Sequence, residues 1–359
     1  AEGLPQPLHV IGFAAGLRPR RQQQLGVQFW LMPQPPTAPL RYLFAFALLP
    51  LLGAWIVARQ GARTLIAQSP YEGAAAALLK GLLRLFGLRL RLIVENHNNF
   101  EEDVFLQRRV PLMDLYRALM LRAARFAFRH ADAVRVISTS TAERATHFAP
   151  HAPQVRFMTW TDASIFRDTA RPQPLSQSRR IAYAGVLIPR KGVHHLLNAF
   201  ARLSAADAQL DLLGAPENAS YAAELRAQAQ RLGIAARVHF QGNLAQRALA
   251  QRLAEARVMA LPSLSEGLGR VIVEAMLVQT PVIGARVGGI PDLIQPGITG
   301  WLVAPGDEDA LHAALEEAFA LPDEKLDAMG QQARAFALAF FSPKAYLAGY
   351  RQLIEASHA

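Results

Sequence analysis

The stretch PSLSEGLGRVIVEAMLVQTPVIGARVGGIPD, Pro262 to Asp292, decides how this chain is read. Just before it, Val258–Leu261 is a short apolar run with the composition of a buried parallel strand. From Gly269 to Leu277 the apolar residues take helical spacing, and Pro281–Gly284 reads as a strand again. Strand, glycine-bearing loop, helix and strand make a βαβ unit, and such units bind ligands at the carboxyl ends of their strands. Backbone N–H groups at Leu268, Gly269 and Arg270 open the helix and form an anion site. Gly267 and Gly269 let a phosphate come close to the backbone. Glu266 stands in the loop and Glu274 one to two turns into the helix. Carboxylates beside an anion site are unfavourable unless they hold neutral hydroxyls. The pair therefore points to a ligand with hydroxyls at both ends of a diphosphate, a nucleotide sugar. By spacing alone a simpler reading stands beside it, with Glu266 capping the helix and Glu274 solvated.

Working outward, the same alternation fills the chain. Strands are expected at Leu8–Ile11, Thr64–Ala67, Arg91–Val94 and Val134–Ile137, with helices at Gly73–Leu85 and Leu112–Phe128. After residue 179, strands are expected at Ile181–Ala184, Gln209–Leu213 and Val238–Phe240. Helices are expected at Val193–Leu203, Tyr221–Leu232 and Glu308–Phe319. Strand–helix alternation in both halves predicts an α/β fold of two Rossmann-like, doubly wound domains facing each other across a cleft. Residues 168–179, with Pro172 and Pro174, read as the linker. The expected domains are 1–168, 169–340, and a closing helix over 341–359 that packs back on the first.

Composition narrows the function classes. The 359 residues contain no Cys, which removes disulfides, thiolate metal sites and a Cys nucleophile. With no secretory leader visible, a reducing cytoplasm is expected. The charge is uneven: residues 1–178 hold 21 Lys/Arg against 11 Asp/Glu, whereas 179–359 hold 17 of each. The whole net charge of +10 thus lies in the first half. It suits an anionic lipid surface or an anionic acceptor, or is simply a solvated basic surface. Leu40–Ala58, LRYLFAFALLPLLGAWIVA, is the most apolar segment. It predicts a helix broken near Pro50 that packs in the core or lies on a membrane surface, the core reading being favoured and a true span disfavoured.

The motifs Ser265-Glu266-Gly267-Leu268-Gly269, Glu274-Ala275-Met276, Gly288 to Ile294 and Thr299 to Asp307 together resemble glycosyltransferase family 4, retaining enzymes of the GT-B fold. The resemblance runs upstream through Ala182–Phe200 and Val238–Leu244 and covers about residues 90–359. It implies a sugar donor activated as a nucleoside diphosphate, with no bound metal, no metal-binding Asp-x-Asp motif and no other cofactor. On this basis Glu266 would hold sugar hydroxyls and Glu274 the ribose. Leu268 and Gly269, beside Gly267, would offer N–H groups to the diphosphate. Lys191 would bind the diphosphate and stabilise the leaving group, a role that charge development also demands. Gly242, Asn243 and Leu244 would edge the nucleobase. His97 matches a family histidine that approaches the donor sugar, with Asn96, Asn98 and Asn99 as neighbours. Thr159–Phe166, with Asp162 and Phe166 matching, would be the interdomain crossing.

Two departures stand out. Val186 occupies a position where the family often has a diphosphate-binding Arg, for which Arg190 is the nearest substitute. The first residues show no clear Gly-rich loop, although His9–Gly16 offers a degenerate one, so a first β–α unit is expected to be missing. The leading expectation is a retaining glycosyltransferase. Its acceptor would be a saccharide or lipid-linked sugar, its setting surface-polysaccharide or lipopolysaccharide synthesis, and its place the cytoplasmic side of an anionic membrane. The alternative is a decayed protein that binds donor or membrane without turnover. A nucleotide-sugar epimerase is disfavoured by the SEGLGRVIVEA pattern, and nucleic-acid binding by the lack of any recognised motif.

Overall fold

The structure is a computed structural model and describes residues 8–14, 18–24, 26–35, 38–97, 113–159 and 163–358. They fall into two units, one built from Ala1–Ile137, Thr141–Met158 and Pro343–Ala359, the other from Ser138–Ser140 and Thr159–Ser342.

In the first unit, β1 (Leu8–Ala14), β2 (Arg20–Gln24) and β3 (Val27–Pro33) form a sheet in the order β1-β3-β2, with β1 parallel and β2 antiparallel to β3. The sequence reading missed β2 because all five of its residues are polar and exposed, so no alternation marks it. Next come α1 (Ala38–Gln60), β4 (Thr64–Ala67), α2 (Pro70–Leu85), β5 (Arg91–Asn96), α3 (Met113–His130), β6 (Ala133–Val136), α4 (Thr139–Phe148) and β7 (Gln154–Arg156). The last four strands form a parallel sheet in the order β4-β5-β6-β7.

The expected break at Pro50 is corrected: α1 runs through it. An internal proline costs about 3 kcal/mol. Packing outweighs it here. Gly53 lies against Leu79, Ile56 is buried, and Phe46, Ala54 and Val57 touch the core beneath α1. The opposite side of α1 shows Leu40, Phe44, Leu51 and Trp55 to solvent. Among the described residues no helix is long and apolar enough to cross a membrane.

The second unit opens with α5 (Ser164–Arg167) and β8 (Arg180–Ala184). It continues through α6 (Val193–Ala201), β9 (Gln209–Leu213), α7 (Ala219–Arg231), β10 (Val238–Gly242), α8 (Gln246–Glu255) and β11 (Val258–Leu261). It ends with α9 (Arg270–Leu277), β12 (Val282–Ala285), β13 (Gly300–Val303), α10 (Glu308–Ala320) and α11 (Asp323–Phe340). Its six-stranded parallel sheet has the order β10-β9-β8-β11-β12-β13. Every residue of β11 is buried, the mark of a strand covered on both faces. The final helix, α12 (Pro343–Ala356), packs on β6 and β7 of the first unit, where fully buried Leu353 joins Ile93, Ala133 and Val155.

Candidate functional site

In the second sheet the chain moves outward from β8 to β9 and β10, then restarts beside β8 at β11 and moves the other way. The pair β8–β11 is a topological switch point, the place in an open α/β sheet beside which ligands bind. The loop after β8 carries Arg190 and Lys191; the loop after β11 carries Ser263, Ser265 and Glu266.

The two loops are fastened together. Leu264 N–H donates to the Arg190 carbonyl at 2.7 Å, and Arg190 Nη1 donates to the Ser265 carbonyl at 3.3 Å. Gly192 has φ +67°, and a Cβ there would lie 2.1 Å from the Pro262 carbonyl oxygen. On the other side, Gly288 has φ +55° and a Cβ would fall 1.9 Å from the Glu266 carbonyl oxygen. Gly289 N–H donates to the Gly267 carbonyl at 2.7 Å. Glycine is therefore required where two backbones press on the Glu266 loop.

This clamp sets the side chains. Lys191 Nζ donates to Glu266 Oε1, which also accepts from Ser263 Oγ at 3.0 Å. Glu266 is 8% exposed. It does not cap α9, whose N-cap is Gly269 in the left-handed region without any side-chain cap. Glu274 is not solvated either: it is 8% exposed and faces Arg270 Nε at 3.3 Å. Burial pushes the Glu274 pKa up against the opposing charge of Arg270. The simpler reading of both carboxylates is thus set aside. The site presents a cation, two largely buried carboxylates and an uncapped helix start with Leu268 and Gly269 at its head.

The other sequence candidates are more dispersed. Gly242 ends β10, two strands from β8, and Asn243 and Leu244 follow it. Val186 is exposed, and the carbonyl of Val186 accepts from the Tyr183 hydroxyl at 2.9 Å. His97 belongs to the first unit, at the end of β5, where its Nε2 lies 2.7 Å from Glu95 Oε2. Asn96 is buried and donates to the Thr141 carbonyl at 3.3 Å. Asn98, Asn99 and Asp162 lie outside the described residues.

One expectation needs correction. An Asp-x-Asp spacing does occur, at Asp307-Glu308-Asp309. All three carboxylates are already engaged: Asp307 caps α10 through the Ala310 N–H, Glu308 accepts from Asn198 and faces His195 at 2.7 Å, and Asp309 pairs with Arg202. Sequence reading also missed Ser263 and Glu95. Glu95 was within reach, since residues two apart at a strand end share a face.

Residues 166–336 match the family model for glycosyl transferases group 1, and residues 6–159 match that for a glycosyl transferase 4-like domain. The MMP alpha-(1->4)-mannosyltransferase of Mycolicibacterium hassiacum is 33% identical over 273 residues, 73% of this chain and 64% of that protein. The chain spans less than two thirds of the length of the curated relatives it matches. Among solved structures, the sucrose-phosphate synthase of Thermosynechococcus elongatus has TM-score 0.75 at 22% identity, covering 97% of this chain and 90% of that one. Anabaena HepE in complex with UDP and glucose has TM-score 0.69 at 21% identity, covering 93% and 86%. The fold is GT-B, built from two Rossmann-like units.

Proposed function

We propose, on the premise that this chain belongs to the group 1 glycosyl transferases, that it moves a sugar from a nucleoside-diphosphate donor to a saccharide or lipid-linked acceptor with retention at the anomeric carbon. The observation that carries this is the clamped Lys191–Glu266 pair at the switch point, with buried Glu274 on the helix that follows.

The chemistry follows from the charges. Without donor, Lys191 and Glu266 neutralise each other. A donor places its diphosphate against Lys191 and the N–H groups of Leu268 and Gly269, where the helix start favours an anion. Glu266 is released to accept hydroxyls of the sugar, and Glu274 accepts those of the ribose. Gly242–Leu244 edge the base, and Arg190 stiffens the loop carrying Glu266. As the glycosidic bond to phosphate breaks, negative charge grows on the leaving oxygen, and Lys191 is fixed where it stabilises that charge. His97 approaches the sugar. The leaving phosphate takes the acceptor proton on the same face, so the protein supplies position and charge rather than a nucleophile. No metal enters this scheme. UDP is the first nucleotide to try, given what HepE binds.

The acceptor reading rests on the first unit. The exposed Leu40, Phe44, Leu51 and Trp55 of α1 adjoin the packed helix α2, whose Leu78, Leu82 and Leu85 are also exposed. Exposed Arg59, Arg63, Arg84 and Arg89 belong to the same region. An apolar stripe with a basic rim suits the interface of an anionic membrane. The enzyme would then work peripherally on the cytoplasmic face, in the synthesis of surface polysaccharide or lipopolysaccharide. Co-sedimentation with vesicles should rise with anionic lipid content; binding indifferent to that content would remove this part.

A second reading is a non-catalytic binder, favoured by exposed Val186 where the family often has a cation. Calorimetry with UDP, GDP, ADP and dTDP, followed by turnover of the matching sugar donors, separates the two. Binding with turnover supports the transferase, binding without turnover supports a decayed donor-binding protein, and no binding contradicts the transferase and leaves only a decayed membrane-surface binder.

A further inference from the structure

The first unit holds a buried charge cluster that the scheme above leaves unused. Glu95 on β5 is 1% exposed and stands directly opposite Arg135 on β6, itself 1% exposed. Arg135 Nη1 donates to Glu95 Oε2 at 3.2 Å and to the Tyr350 hydroxyl at 3.2 Å. The Tyr350 hydroxyl donates to the other carboxylate oxygen. The Arg135 guanidinium lies 4.3 Å over the Phe157 ring. Buried Gly349 lets α12 seat on Phe157, since a Cβ there would meet that ring at 2.3 Å.

Such a cluster is weak evidence for stability, because a buried ion pair often gives nothing over well-packed apolar residues. The carboxylate is therefore open to a task other than holding the fold. One more group reaches Glu95: His97 Nε2, at 2.7 Å from Oε2, on a ring whose side chain is 29% exposed. Burial alone would raise the Glu95 pKa. The bond to His97, the charge of Arg135 and the Tyr350 hydroxyl outweigh it and hold the carboxyl below its ordinary value. An ionised carboxylate only accepts, so the ring nitrogen facing it carries the proton. In the neutral ring this bond fixes the tautomer, with the proton on Nε2 and the lone pair on Nδ1. Among the described residues, Glu72, at the start of α2, is a further carboxylate acting electrostatically on both His97 and Glu95.

We infer that Glu95 is a positioning residue for His97, and that α12, through Tyr350, holds this carboxylate in place. The inference rests on the reading that His97 meets the reacting sugar.

The test uses the full chain labelled with 15N-histidine, the variants E95Q, Y350F and H97A, and UDP-glucose as the activity probe. Wild type should show the Nε2-protonated tautomer at His97, and E95Q should shift or mix the two ring-nitrogen signals. If E95Q does not fold, Y350F carries the test, since it removes one donor from a carboxylate that keeps two others. UDP release from UDP-glucose should fall about 10- to 100-fold in E95Q, the scale at which outer-shell partners act on a ligating histidine. It should fall less in Y350F, in kcat rather than KM, and E95Q should add nothing to H97A. Ring signals unchanged in both E95Q and Y350F overturn the inference, as does wild-type turnover in both variants when H97A is inactive. Wild-type turnover in H97A instead overturns the reading of His97 on which the inference rests.

Discussion

The two units place charge differently at corresponding points of their sheets. In the second unit, Lys191 and Glu266 stand on loops beyond β8 and β11, and glycines let those loops touch. In the first unit, Glu95 and Arg135 stand on neighbouring strands β5 and β6, with Arg135 packed against the Phe157 ring after β7 and the Tyr346 and Tyr350 rings of α12. Loop charges have neighbours that a ligand is able to replace. The strand charges are buried against each other across the ladder. The first arrangement suits recognition and the second suits orientation.

The largest expected effect tests the loop charges. K191A should lower turnover about 100- to 1,000-fold, the usual cost of losing one fixed group that stabilises developing charge. A loss under tenfold, by steady-state kinetics, would make Lys191 a structural partner of Glu266 only. Next comes the anchoring of α12. L353A removes a fully buried side chain and should cost about 2–5 kcal/mol in denaturant unfolding. The transition monitored in the first unit should move while nucleotide affinity holds. Loss of nucleotide binding in the folded variant would erase the division of labour.

A smaller effect is expected at Glu274. Because its folded pKa is raised, the ionised form opposes folding, and its stability contribution is lost as pH rises through that pKa. E274Q should therefore melt at or above wild type at neutral pH yet bind nucleoside diphosphate more weakly, by about tenfold. Wild-type affinity for the nucleotide should itself weaken as acid protonates Glu274. Glu95 has the opposite sign. Its lowered pKa adds stability at neutral pH that is lost as pH falls below the ordinary carboxylate range, so E95Q should flatten the acid limb of the melting profile. The smallest effect is at the surface. L51S with L85S should leave the melting temperature within about 2 °C and reduce vesicle binding, since both side chains are well exposed.

Much of the second unit is legible in the sequence because its strands are short continuous apolar runs and its site lies on loops. Gln209–Leu213 and Val258–Leu261 are read to the residue. Glu266 and Lys191, 75 residues apart in sequence, are assigned to one site and do meet. What stays hidden is partnership. Nothing in the order of residues says that Ser263 reaches Glu266, that Glu95 pairs across the ladder with Arg135, or that Tyr350 closes on it from 255 residues away. The polar strand Arg20–Gln24 lacks the alternation that marks strands, and the packing of Gly53 on Leu79 that carries α1 through Pro50 is a tertiary effect. The Arg270–Glu274 pair was readable, since side chains four apart on a helix are neighbours.

The central claim is that the loops carrying Lys191 and Glu266, with Glu274 on α9, bind a nucleoside diphosphate. The most direct measurement is calorimetric titration of UDP, GDP, ADP and dTDP into the full chain, its K191A variant and its E274A variant. The account expects one nucleotide to bind wild type and to bind both variants at least tenfold more weakly. At about 100 times its dissociation constant, that nucleotide should also stabilise wild type by about 2.7 kcal/mol. No binding by any of the four, or affinity unchanged in both variants, would contradict it.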